Sequence, residues 1–160
     1  MFIELDGWRG KLRFSSCHLI PGHPKCGRLH GHTYAVSVRL EGELENEFII
    51  DFFELKEIVK KICDELDHRV LIAEKDPRLK IRDEENGYSI VVGNKRYLFP
   101  KEDVVLLPIT SVSSEHLSMY IAERIASQLS GMKNLKRLHV RVDEGMGQGA
   151  GCTLEFCLEF

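Results

Sequence analysis

The chain predicts an α+β fold, a four-stranded antiparallel sheet with two helices packed on one face. Three observations predict it. Apolar residues alternate with period two near both ends of the sequence, two helical-period stretches lie between them, and a two-residue turn signal marks a separate hairpin in the middle.

Residues 2 to 16 are rich in aromatic and branched side chains, broken by Gly7 and Gly10, and read as a strand pair or one long bent strand ending at His18. A loop carrying Pro21, Gly22, Pro24 and Gly27 follows. Tyr34, Val36, Val38 and Leu40 then alternate with Ala35, Ser37, Arg39 and Glu41, the signature of a half-buried strand. Asp51 opens a helix as its cap, with Glu54 three residues on in a capping-box-like pattern and Leu55, Ile58, Val59, Ile62 and Leu66 on its buried stripe. The mixed charges from Glu74 to Glu85 read as a solvated excursion. Tyr88-Ser-Ile-Val-Val and Lys95-Arg-Tyr-Leu-Phe flank Gly93-Asn94 and read as a hairpin inserted within about residues 73 to 107 of one domain spanning 1 to 160. The serines from Ser111 to Ser114 cap a second helix with Leu117, Ile121, Ala122, Ile125 and Leu129 on its stripe and Gly131 at its end. Leu138, Val140 and Val142 alternate in the next strand, and Cys152, Leu154, Phe156, Leu158 and Phe160 in the last. The glycine run between them, Gly145 to Gly151, lacks the Lys-Ser/Thr ending and following helix of a phosphate loop, and reads as a turn.

The 160 residues suffice for a core without disulfides or metal. The net charge of -3 provides no general attraction to nucleic acid or an anionic membrane, so an anionic ligand has to be held by local charges. Five cysteines without a Cys-x-x-Cys pair argue against a disulfide framework and for the cytoplasm. The N-terminal residues show no basic segment followed by an apolar run, and no stretch is long enough to span a membrane.

Chemistry concentrates between His18 and Tyr34, where four of the seven histidines accompany Cys26. His30 and His32 leave the same side of an extended chain, and the glycine- and proline-bearing loop can return His18 to the same point. Three histidines with one open position are the ligand set of a catalytic rather than a structural zinc site. Cys26 can be read as a fourth ligand, but three residues from His30 it reads better as a thiol beside the metal. His23 reads as an exposed loop residue and Cys17 as a small core residue. Asp67 and His68, adjacent at a helix end, share no face, and a surface pair near a helix C-terminus accounts for them.

Taken together, Phe14-Ser-Ser-Cys-His18, Cys26-Gly-Arg-Leu-His30-Gly-His32, Ile50-Asp51-Phe52, Leu66-Asp67-His68, Ser113-Ser114-Glu115 and Val142-Asp143-Glu144 resemble the 6-pyruvoyl-tetrahydropterin synthase and 6-carboxytetrahydropterin synthase family. The resemblance implies the tunnelling fold, in which sheets of several subunits join into a barrel and homo-oligomeric active sites lie between subunits. It implies Zn2+ on His18, His30 and His32, Cys26 as the base acting on the side chain of 7,8-dihydroneopterin triphosphate, and a proton-relay pair at Asp67 and His68. The resemblance also implies that Glu144 anchors the pterin ring, whose 2-amino group and N3–H suit a bidentate carboxylate, and that Ser113, Ser114 and Glu115 fall on a substrate-binding stretch. Lys25 and Arg28 are candidates for the triphosphate. The spacing Cys-Gly-Arg-Leu-His-Gly-His looks like the carboxytetrahydropterin branch, a step toward 7-deazaguanine nucleosides such as queuosine and archaeosine. The alternatives are the pyruvoyl branch and a non-catalytic pterin-binding module stabilised by zinc. The hairpin, Ser113 in place of a usual threonine, and the glycine-rich turn after Glu144 depart from the family pattern.

Overall fold

The computed structural model describes residues 1–156, so Leu158 and Phe160 of the expected last strand, and Cys157, lie outside the described residues. In chain order the elements are β1 (Phe2–Leu5), β2 (Arg13–His18), β3 (His30–Gly42), α1 (Phe52–Leu66), β4 (Arg69–Ala73), β5 (Leu79–Glu84), β6 (Gly87–Val92), β7 (Lys95–Phe99), β8 (Val104–Leu107), α2 (Ser114–Gln128), β9 (Leu135–Glu144) and β10 (Gly149–Glu155).

The fold is α+β, but its main sheet is larger than four strands. Seven strands run in the order β10-β9-β3-β2-β4-β8, with β1 also on β3. The antiparallel part is β10, β9, β3 and the β1/β2 edge, while β4 joins β2 and β8 joins β4 in parallel. These two strands were not expected because each is only four or five residues long and apolar on both faces, which removes the alternation that reveals a strand. Nor do β1 and β2 pair with each other. Both lie along one edge of β3, β1 against Val38 to Glu41 and β2 against His30 to Ala35. The link between them turns in at Gly7, where a Cβ would stand 2.7 Å from the Val36 backbone.

Alternation on β3 and β9 builds the core. Val36 faces Val142, Val38 faces Val140 and Leu40 faces Leu138 across the ladder, all at most 2% exposed. Against them lie Leu55, Val59, Ile62 and Leu66 of α1 and Leu117, Ile121 and Ile125 of α2. Asp51 caps α1 by accepting from the Phe53 amide at 2.6 Å. At α2 the expectation fails in detail: Ser113 occupies the cap position, but its hydroxyl bonds the His116 ring and makes no cap bond to the backbone. The helix also ends at Leu129, whose amide bonds back to Ile125 and Ala126, ahead of Gly131.

The Gly93-Asn94 hairpin is present as β6 and β7. The preceding charged stretch is not merely a solvated excursion, since β5 pairs with β6 to complete a three-stranded sheet. Its alternation, Leu79 and Ile81 against Lys80 and Arg82, is only two apolar residues long. Ile90 of this small sheet packs with Ile72 and Val104 in a second cluster, while Leu71, Ala73 and Leu107 enter the main core. The glycine run is the β9–β10 turn, with Gly145 and Gly147 at φ +82° and +97°, a region that L side chains rarely occupy. No described helix is long and apolar enough to cross a membrane, and the four described cysteines are free thiols.

Candidate active site

Strand register assembles the histidines. In the β2–β3 ladder His18 lies directly opposite His30, and His32 follows two residues on along β3, so three imidazoles crowd one strand end. Their ligand-capable nitrogens all lie within 4.8 Å of one another. Tyr34 continues the same face beneath them, its ring 5.6 Å from His32 and stacked on Phe14.

The hydrogen bonds show why this cluster suits a cation. His18 Nδ1 lies 2.6 Å from the Val112 carbonyl oxygen and His30 Nδ1 lies 2.7 Å from that of Arg28. A carbonyl only accepts, so both rings carry a proton at Nδ1, and in their neutral form both aim an Nε2 lone pair at the other across 3.1 Å. Two lone pairs at that distance repel, and only a cation between them relieves it. His18 is 1% exposed, and desolvation pushes its pKa below the ordinary histidine value, against the opposing pull of Val112 and Glu144. A proton on His18 itself is therefore disfavoured, and a backbone carbonyl on the far ring nitrogen is the usual outer support of a metal-binding histidine.

Glu144 reaches the cluster from β9. It is paired with Tyr34 in the ladder, which brings its carboxylate 4.0 Å from His32 Nε2. Beside it, Asp143 is fixed by Trp8 Nε1–H at 3.0 Å and Arg141 at 2.8 Å. Cys26 sits half-exposed in the loop between β2 and β3. The Ile20 amide donates to its carbonyl at 2.7 Å and its own amide donates to His23 Nδ1 at 2.8 Å. His23 is exposed as expected, yet it braces the loop, a function that spacing does not reveal. Cys26 stands outside the group of three converging ligands. It does share with His18, His30 and Glu144 a cavity of about 350 Å³ that is closed on one side by Ser113, Ser114 and Glu115 at the start of α2 and on another by Gln148. The Ser113 hydroxyl holds the Glu115 carboxylate below the usual range.

Asp67 and His68 are a pair, but they face elsewhere within the chain. Asp67 Oδ2 lies 2.8 Å from His68 Nδ1, and Asp67 Oδ1 accepts from the Ser15 amide at 2.7 Å. Burial raises the Asp67 pKa, but these bonds outweigh it and the net shift is downward. His68 takes φ +57°, a costly conformation for a residue with a side chain, and its ring is 84% exposed. It lines a second cavity, of about 610 Å³, together with His32, Ser15, Thr33 and Cys17, the last of which is half-buried rather than in the core. Asp67 and His68 precede β4, which lies on the side of β2 away from β3, and of the three clustered histidines His32 reaches the cavity that His68 lines.

Two helices behind a mixed sheet, with a three-histidine cluster at a strand end beside a thiol and a carboxylate, define an α+β protein with a site fit for a metal ion. Comparison with known proteins specifies the class further. Residues 9–155 match the 6-pyruvoyl tetrahydropterin synthase family, and the chain belongs to that family. It is 43% identical over 154 residues to a putative 6-carboxy-5,6,7,8-tetrahydropterin synthase of Methanocaldococcus jannaschii, covering 94% of each chain. It is 31% identical over 110 residues to a dihydroneopterin monophosphate aldolase of Pyrococcus furiosus, covering 69% of this chain and 67% of the other. A Plasmodium vivax 6-pyruvoyltetrahydropterin synthase, solved as a variant in which a catalytic glutamate is replaced by alanine, superposes with a TM-score of 0.90 at 30% identity, covering 97% of this chain and 98% of that one.

Proposed function

We propose that the protein is a zinc-dependent lyase that converts 7,8-dihydroneopterin triphosphate and water to 6-carboxy-5,6,7,8-tetrahydropterin, releasing triphosphate and acetaldehyde, on the route to 7-deazaguanine nucleosides. The observation that carries the reading is one cavity lined by Cys26, two of the three clustered histidines and Glu144. The names of relatives such as that of M. jannaschii support the carboxytetrahydropterin branch.

His18, His30 and His32 would hold the zinc, which supplies Lewis acidity toward a side-chain oxygen of the substrate. Cys26, as its thiolate, takes a proton from the adjacent side-chain carbon. Glu144 receives the 2-amino group and N3–H of the pterin and fixes the ring's direction. Ser113, Ser114 and Glu115 close the ring pocket, and Lys25 and Arg28 on the exposed loop face the triphosphate. Asp67 and His68 move protons for a site that a neighbouring subunit completes in a homo-oligomer, because within one chain His68 lines a cavity that Cys26 and Glu144 do not. Ligand and partners are thus a pterin triphosphate and further copies of this chain, with no nucleic acid or membrane.

A second reading follows the P. furiosus relative: an aldolase acting on dihydroneopterin monophosphate. Purified zinc-loaded protein, offered the triphosphate and the monophosphate separately with products read by mass spectrometry, separates the two. 6-Carboxytetrahydropterin with acetaldehyde supports the first reading. 6-Pyruvoyl-tetrahydropterin keeps the family and moves the branch, and cleavage of the monophosphate alone selects the aldolase.

A further inference from the structure

The small sheet of β5, β6 and β7 lies beside the loop that carries Cys26 and bonds it at two points. Arg78, in the turn between β4 and β5, donates from Nη1 to the Pro21 carbonyl. Lys95, the first residue of β7, donates from Nζ to the Gly27 carbonyl at 3.1 Å. These carbonyls stand on either side of Cys26 in sequence. Arg78 is itself fixed, since its Nε and Nη2 fork onto Asp76 at 2.8 and 2.7 Å, and Asp76 is 2% exposed. The sheet behind them is anchored by Ile90 against Ile72 and Val104, so the two donors sit on a packed body rather than a free hairpin.

Inside the loop, by contrast, stabilisation is local. The amides of Ile20, Cys26 and Gly27 bond to Cys26 and His23 within the same eight residues, and His23, Pro24 and Lys25 are exposed. A loop held only by its own turns samples several arrangements, whereas two external donors on a rigid sheet select one.

We infer that the small sheet is a clamp on the Cys26 loop, with Arg78 and Lys95 as positioning residues that hold the thiol at the cavity rim. The inference rests on the reading of Cys26 as the base. Neither side chain touches the cavity that holds Cys26 and the histidines, so each acts through the loop.

The test compares Lys95→Met, Lys95→Arg and the double variant Asp76→Asn/Arg78→Met, the double change avoiding a buried carboxylate without its partner. Lys95 is exposed, so Lys95→Met keeps the test standing if the double variant does not fold. In zinc-loaded protein, hydrogen exchange of the Ile20, Cys26 and Gly27 amides is expected to quicken about tenfold in Lys95→Met and in the double variant. kcat is expected to fall about tenfold with KM within about twofold and bound zinc unchanged, as misplacement of a reacting group lowers the rate and not the affinity. Lys95→Arg, which keeps a donor, restores both. Unchanged exchange and kcat in Lys95→Met would overturn the clamp, and so would a kcat loss that tracks lost zinc. If the wild-type protein turns over neither pterin phosphate, the proposed function fails while the exchange rates still decide whether the sheet holds the loop.

Discussion

At the scale of the residue, His18 shows how much of a metal site is settled by atoms other than the ligand. Its Nδ1 proton goes to the Val112 carbonyl, which leaves Nε2 aimed at His30. The three histidines were legible in the sequence because two of them are two apart and a foldable loop returns the third. Val112 was not legible, since a backbone carbonyl 94 residues away leaves no mark on the sequence. The Asp67–His68 pair came from the family resemblance and not from the local pattern, because the left-handed backbone at His68 that permits it has no signature in residue type. Two outcomes follow from the roles proposed for these side chains. Cys26→Ala is expected to retain zinc, measured by metal analysis, and to lose about 10²-fold or more in turnover, the usual loss when a base is removed; an active Cys26→Ala protein would remove Cys26 from the role of base. His30→Ala is expected to lose the metal, because one of two opposed Nε2 donors disappears.

At the scale of the element, the helices were readable and several strands were not. α1 declares itself through the Asp51 cap and a stripe that is buried as its period predicts. β4 and β8 are short and covered on both faces, by the helices on one and the small sheet on the other, so no alternation marks them. Ile121, on the stripe of α2, is fully buried against the sheet. Ile121→Ala is expected to cost about 2–5 kcal/mol, read from urea unfolding, because the cavity it leaves is enclosed on every side. Asp51→Ala is expected to cost about 1 kcal/mol through the lost cap. Asp76 links stability to pH. Its bonds to Arg78, opposed by burial, hold its carboxyl below the usual carboxylate range. The stabilisation is fully present above the unfolded value of about 3.9 and is lost as pH falls through the lower folded value. Urea midpoints between pH 5 and 2 are expected to fall less steeply in Asp76→Asn than in the wild-type protein.

At the scale of the whole molecule, one chain presents the groups of the proposed reaction on two cavities. Cys26, His18, His30 and Glu144 share one, while His68 lines the other together with His32. The sequence showed all of these residues but could not show how they divide between the two cavities, because order along the chain does not say that β2, β3 and the start of β4 meet at one of them. The account joins the two cavities through association of copies, so mixing inactive Cys26→Ala with inactive His68→Ala protein is expected to restore part of the activity. Its central claim is the reaction itself. The most direct measurement is mass spectrometry of the products formed by the zinc-loaded protein from 7,8-dihydroneopterin triphosphate. The account predicts 6-carboxy-5,6,7,8-tetrahydropterin with acetaldehyde and triphosphate, and an unconsumed triphosphate beside a cleaved monophosphate would contradict it.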